Sequence, residues 1–312
     1  MRIVVAGGTG FLGQPLSEAL RRRGHEVSVC SRRTGVDIRD FEQIDRFLRD
    51  TKPDVVVNAA AHVGGIAYNA QRPVAIYEDN LLIGFNLVRA AAGRTGKFVN
   101  IMPNCTYPGV AEVYSEPGWW DGPMDETVLT YGMPRKALWV QTWAYAQESR
   151  LSSIHLVLPN LYGPRDHFDP IRSHALGALI RKIVDAHLDG YAVVTIWGTG
   201  RPVREWMFVE DAAEGIAEAV EVYNSIDILN LGWGRGWTIS EIAERIRSAV
   251  GWRGEFVYDT SRPDGAPQKV LDVSRMHAAL KWRPRVNLDE GIRRTVAWYR
   301  NWREREMQQH GR

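Results

Sequence analysis

Short apolar, β-branched runs alternate with amphipathic helical patterns through the first half of the chain. RIVVAGG is followed by FLGQPLSEALRRRG, EVSVCSRR by FEQIDRFLRDTKP, and DVVVNAAA by the long pattern RPVAIYEDNLLIGFNLVRAAAGRTG. The runs KFVNIM and SSIHLVLPN bracket a further helical stretch, RKALWVQTWAYAQES. Compact apolar runs bounded by turn residues read as strands, and apolar positions three and four apart read as helices. Regular alternation of the two predicts an α/β fold, a parallel sheet with helices on both faces. Beyond about residue 164 the alternation weakens. SHALGALIRKIVDAHLDG, FVEDAAEGIAEAVEVY, ISEIAERIRSAVG and LDEGIRRTVAWYRNWRERE still read as helices, and AVVTIWGTGR as a strand and turn. These segments predict a smaller lobe over 165–312 beside a first unit over 1–164, with some segments crossing back. No repeat or linker separates the two, so a shared cleft is expected. The polar end REREMQQHGR is expected to fray.

The junction between the first strand and first helix carries the clearest chemistry. GGTGFLG places Gly7, Gly10 and Gly13, with Thr9, Phe11 and Leu12 between them, where a strand gives way to a helix. Such a turn lets backbone approach a pyrophosphate closely and seats it on the helix N-terminus. The expected architecture is a doubly wound parallel sheet of the Rossmann type with a smaller C-terminal substrate lobe. The second strand ends in Ser31, Arg32 and Arg33, where an acid would suit the ribose hydroxyls of NAD. A basic end suits a 2′-phosphate, so NADP is favoured and NAD stays possible. Asp37 and Ile38 are placed to meet the adenine, and Asn58, Ala59 and Ala60 close the third strand beside the cofactor.

Composition narrows the partners. A net charge of +2 over 312 residues gives no nucleic-acid surface, although local basic clusters can hold phosphate. Cys30 and Cys105 have no metal-ligand spacing, and a reducing, cytoplasmic setting is expected. MRIVVA runs straight into glycines and reads as a strand, not a leader, and no apolar run is long enough to span a membrane. Trp252, Trp282, Trp298 and Trp302 read as packing, and Arg21, Arg22 and Arg23 as a solvated helix end.

Together GGTGFLG, DIRD, NAAA, a tyrosine in a helix-opening turn and NLYGPRDHFDP resemble the extended short-chain dehydrogenase/reductase family. AAHVGGI, NLYGPRDHFDPIRSHALGALIRK, WGTGRPVREWMFVEDAA and RPDGAPQKVLD narrow the resemblance to its GDP-L-fucose synthase branch. The similarity runs over nearly the whole chain. That branch epimerises a GDP-4-keto-6-deoxy-mannose at two carbons and reduces the ketone with NADPH. The resemblance implies that Tyr131 exchanges a proton with the sugar C4 oxygen. It implies that Cys105 and His174 are the acid/base pair for epimerisation, and that Asn160, Lys182, Trp197, Arg204 and Lys269 hold the nucleotide sugar. It also implies that the helices near 72–94 and 134–149 build a homodimer bundle. Independent chemistry agrees in part. Epimerisation beside a carbonyl needs one group to remove a proton and another to return one, and guanidinium suits a diphosphate.

Two positions depart from the resemblance. The catalytic serine or threonine falls on Pro103, which has no hydroxyl, and the lysine four residues after the tyrosine falls on Arg135. Lys136 lies about 100° away round a helix, and Pro134 suggests a helix beginning only there. Asn104 or Thr106 could replace the lost hydroxyl as a donor to the substrate. With two of three reductase residues altered, the favoured expectation is a GDP-hexose isomerase without net redox, by epimerisation or ring interconversion. The alternatives are the epimerase-reductase itself and an inactive NAD(P)-binding sensor.

Overall fold

The computed structural model describes residues 1–149 and 151–309. The first half comprises β1 (Arg2–Ala6), α1 (Gly13–Arg22), β2 (Glu26–Cys30), α2 (Phe41–Thr51), β3 (Val55–Asn58), α3 (Ile66–Gln71), α4 (Pro73–Ala91), β4 (Lys97–Pro103), α5 (Leu129–Ser149) and β5 (Ser152–Leu158). Next come β6 (Asn160–Tyr162), α6 (Ala175–Asp189), β7 (Val193–Trp197), β8 (Val203–Phe208), α7 (Val209–Val222) and β9 (Ile228–Asn230). The chain ends with β10 (Gly236–Thr238), α8 (Ile239–Val250), β11 (Glu255–Asp259), β12 (Gln268–Lys269), α9 (Ser274–Ala279) and α10 (Leu288–Gln309).

The central sheet runs β2-β1-β3-β4-β5-β9, every neighbouring pair parallel. Ile3, Val4, Val5 and Ala6 are all buried, because helices cover both faces. One face packs on α1 and α7, the other on α2, α4 and α5. Strand order reverses between β1 and β3, which opens a crevice at the carboxyl ends of the strands. The last strand, β9, comes from beyond residue 164 and pairs in parallel with β5. Arg22 and Arg23 are not merely solvated. They reach Glu214 and Glu221 of α7 at 2.7 Å each and tie the returning helix to α1.

Of the remaining strands, β7 was foreseen in AVVTIWGTGR and the others were not. β8 pairs with β6 and β12 in parallel and with β10 antiparallel, while β7 pairs with β11. β6, β10 and β12 have only two or three residues each, too few to show a period in sequence. A second core of α6, α8 and α10 side chains lies beside these strands. α5 corrects one expectation. It begins at Leu129, and Pro134 lies inside it. A 3-10 turn, Glu126–Val128, starts the coil earlier, with Asp125 Oδ1 accepting the Thr127 N–H at 3.0 Å. The proline forfeits one backbone bond there. α10 continues to Gln309, so residues 303–309 are helical; His310, Gly311 and Arg312 lie outside the described residues.

Candidate active site

The crevice end is built from the glycine turn. Gly7 has φ +78°, and a Cβ on it would sit 2.7 Å from the Ala60 Cα; one on Gly13 would sit 2.1 Å from the Gly7 carbonyl oxygen. No side chain would fit at either position. α1 starts without a side-chain cap, which leaves its first N–H groups for an anion. Thr9 Oγ1 donates to Ser31 Oγ at 2.9 Å, joining the turn to the end of β2. Ser31 caps a short turn, Arg32–Thr34, and holds Arg32 and Arg33 at the exposed rim. Asp37 is paired with Arg39 at 2.6 Å, which holds its carboxyl below the usual range, and Ile38 is buried. Asn58 is buried with its Nδ2 unpartnered. Glycines that admit no Cβ, an uncapped helix start and a buried unpartnered amide fit a bound dinucleotide.

Tyr131 and Arg135 stand one helical turn apart in α5, on the same face. Burial pushes the Tyr131 phenol up to about 12, and the Arg135 charge works against that shift. Arg135 is 2% exposed, and its Nη2 donates to the Ala60 carbonyl at 2.9 Å and to Asn80 Oδ1 at 3.1 Å. Its Nε and Nη1 are buried without partners. Lys136 points elsewhere, as its position on the helix requires. Its Nζ donates to the Trp119 carbonyl at 2.6 Å and lies over the Trp119 and Trp120 rings. It cannot stand in for the expected lysine.

A cavity of about 390 Å³ gathers Asn104, Cys105, Tyr131, Asn160, His174, Lys182, Trp197, Arg204 and Lys269. These come from the end of β4, from α5, β6, α6, β7, β8 and β12. Cys105 is buried, and desolvation pushes its thiol up to about 11 against the charges of Lys269 and Arg135. Burial pulls His174, the N-cap of α6, down to about 4. Near neutral pH the pair is therefore a thiol and a neutral imidazole. Arg204 donates to the Val203 and Asp264 carbonyls at 2.9 and 3.1 Å. Lys269 is 9% exposed and depressed by desolvation. At the far end Trp197 is half exposed, with Lys182 and Arg262 each 5.1 Å from its ring centre.

Sequence reasoning passed over Glu205. It is fully buried, and burial raises its carboxyl to about 7. It accepts backbone N–H groups from Trp233, Gly234 and Leu271 at 2.6, 3.0 and 2.8 Å. It follows Arg204 in β8 and so points to the opposite face, away from the cavity wall. That alternation, in VREWMF, was the available signal. His62 bonds Asp79 at 2.8 Å and Tyr68 at 2.8 Å and does not line the cavity. Asp166 and His167 line a second cavity of about 590 Å³ against α6 and α10, where Trp298 and Trp302 lie parallel. Those two tryptophans also stack in packing, as expected, although Trp302 is partly exposed.

A pyrophosphate crevice and a tyrosine–cation pair on one helix define an NAD(P)-dependent enzyme of the extended short-chain dehydrogenase/reductase type. The chain belongs to the NAD dependent epimerase/dehydratase family, whose profile matches residues 3–232. It is 34% identical over 301 residues to "Probable GDP-L-fucose synthase 1" of Oryza sativa subsp. japonica, covering 96% of this chain and 92% of that one. It is 34% identical over 302 residues to a GDP-L-fucose synthase of Azorhizobium caulinodans, covering 96% of both. Its fold matches a crystal structure of a GDP-6-OMe-4-keto-L-xylo-heptose reductase from C. jejuni, with TM-score 0.88 and 25% identity over 96% of this chain and 98% of that one. These relatives favour an epimerase-reductase over the isomerase that Pro103 and Arg135 suggested. Among the described residues no helix is long and apolar enough to cross a membrane.

Proposed function

We propose that the protein epimerises a GDP-bound 4-keto-6-deoxyhexose beside its ketone and then reduces that ketone, with NADPH as the consumed cofactor. The observation that carries this reading is a cavity in which a thiol, an imidazole and a phenol meet the cationic side chains of Arg204 and Lys269. Cys105 and His174 hold between them one transferable proton and one place to accept a proton, as inversion at carbon requires. Tyr131, a phenol at neutral pH, gives its proton to the C4 oxygen. Arg135 stabilises the phenolate that results, and its two unpartnered donors suit the hydroxyls of the nicotinamide ribose. NADPH, when bound, supplies hydride to the carbonyl carbon. Arg204 and Lys269 hold the diphosphate, and Asn160, Lys182 and Trp197 the rest of the nucleotide sugar.

Arg32 and Arg33 at the rim of the crevice support NADP over NAD. Val74, Leu82 and Phe85 of α4 and Met133, Val140 and Trp143 of α5 are exposed on two helices that pack together, which supports a homodimer through this face. Both cysteines are free and buried, in keeping with a cytoplasmic enzyme.

The test is turnover of the GDP-4-keto-6-deoxy sugar and other GDP-hexoses with NADPH far below the substrate concentration, followed by nicotinamide absorbance and product NMR. Product capped at the NADPH supplied is expected. Many turnovers per cofactor with no net oxidation would replace this reading with the isomerase that the missing hydroxyl at Pro103 favours. No turnover, with stabilisation by NADPH but not by GDP, would point to a sensor.

A further inference from the structure

At the end of β4 the chain leaves Pro103 in an extended conformation, φ −81° and ψ 152°, and enters a tight turn, Asn104–Thr106. The two polar candidates in that turn have different fates. Thr106 is fully buried, its hydroxyl donating to the Pro103 carbonyl at 2.9 Å and accepting from the Trp119 indole at 2.9 Å. It has no proton left for a substrate. Asn104 is 5% exposed, lines the cavity with Cys105 and Tyr131, and its Nδ2 is buried without a partner. Leaving a buried amide donor unmet costs roughly 1–3 kcal/mol. Nothing else in the turn makes use of it. The residue expected to carry a hydroxyl is its immediate neighbour.

We propose that the Asn104 carboxamide is the hydrogen-bond donor to the sugar carbonyl oxygen, replacing the hydroxyl that Pro103 lacks. This inference rests on the reductase reading above. The amide gives up no proton. A proton with two electrons passes as hydride from NADPH to the carbonyl carbon, the oxygen takes its proton from Tyr131, and NADP⁺ is left. Asn104 meets the negative charge that builds on the oxygen between those events, and a buried donor so placed contributes on the order of 10²–10³ in rate. The division of labour differs from that of a serine. A hydroxyl can both donate and accept, whereas this amide nitrogen only donates.

The experiment compares wild type, Asn104→Ala, the near-isosteric Asn104→Asp, and the double variant Pro103→Ser/Asn104→Ala. It reads kcat and KM for the 4-keto sugar by NADPH oxidation, and GDP binding by thermal shift. Both single variants are expected to lose about 100-fold in kcat, with GDP affinity held within about twofold. The double variant is expected to regain at least about tenfold, because a hydroxyl returns to the neighbouring position. A structural role for Asn104 would not be rescued in this way. Should Asn104→Ala fail to fold, Asn104→Asp carries the test, since it keeps the shape and removes the donor. Either single variant within about threefold of wild type, or no gain from the serine, overturns the proposal. Wild type that turns over sugar without oxidising NADPH overturns the reductase reading, and this inference with it.

Discussion

The cofactor crevice and the sugar cavity are built in opposite ways. The crevice is a local object. One turn of seven residues supplies its glycines, and its remaining contacts come from the ends of β2 and β3, hydrogen-bonded to β1 on either side. The cavity is assembled from many elements spread between residues 64 and 269, several of them only two or three residues long. The crevice works through backbone, and a single added carbon would ruin it. The cavity works through side chains, so substitution can change its chemistry and leave its shape intact. Pro103 and Arg135 are changes of that kind. Arg135 stands one turn from Tyr131 with two donors unspent, and Asn104, next to Pro103, has an unpartnered amide nitrogen.

Perturbing one region should leave the other working. Cys105→Ser should slow exchange of carbon-bound substrate hydrogen with heavy water about 100-fold while NADPH binding is unchanged, an effect second only to that of losing the Tyr131 hydroxyl. NMR of the recovered sugar measures it, and unchanged exchange removes the thiol from proton transfer. Glu205→Ala strips three backbone N–H groups of their acceptor behind the cavity wall. It should cost about 3 kcal/mol in chemical denaturation. The raised carboxyl pKa adds a pH signature. The folded protein binds the Glu205 proton more tightly than the unfolded chain does. Its contribution is thus complete below the ordinary glutamate range and fades as pH rises through about 7. That slope should vanish in the variant. The smallest effect belongs to the crevice rim. Arg32→Ala with Arg33→Ala should weaken NADP about tenfold more than NAD, about 1.4 kcal/mol, by titration calorimetry. Equal losses would reject a 2′-phosphate contact.

The same contrast decides what could be read from sequence. The β1 turn and the long apolar strands were legible because their signals are contiguous and periodic. Helix α5 was legible in kind but not in its start, since Pro134 looked like a first residue and the capped turn at Asp125 carries little pattern. The small strands of the second sheet were not legible. Their order depends on long-range pairing with β8, which no short window contains. Cys105, His174, Arg204 and Lys269 were recognised through motif resemblance, and folding brings them together. Glu205 escaped because its role lies wholly in three distant backbone N–H groups. Separating Asn104 from Thr106 needed the folded turn, in which the Thr106 hydroxyl gives its proton to the Pro103 carbonyl and accepts the Trp119 indole N–H from thirteen residues away.

The central claim is that one cavity holds two separable chemistries, proton exchange at carbon through Cys105 and His174 and reduction through Tyr131. The most direct test is Tyr131→Phe with the GDP-4-keto-6-deoxy sugar in heavy water, following deuterium at carbon by NMR and NADPH by absorbance in the same sample. The account predicts that deuterium still enters at close to the wild-type rate while NADPH oxidation falls by at least about 10³-fold. Loss of deuterium uptake in step with oxidation, or oxidation that survives the substitution, would contradict it.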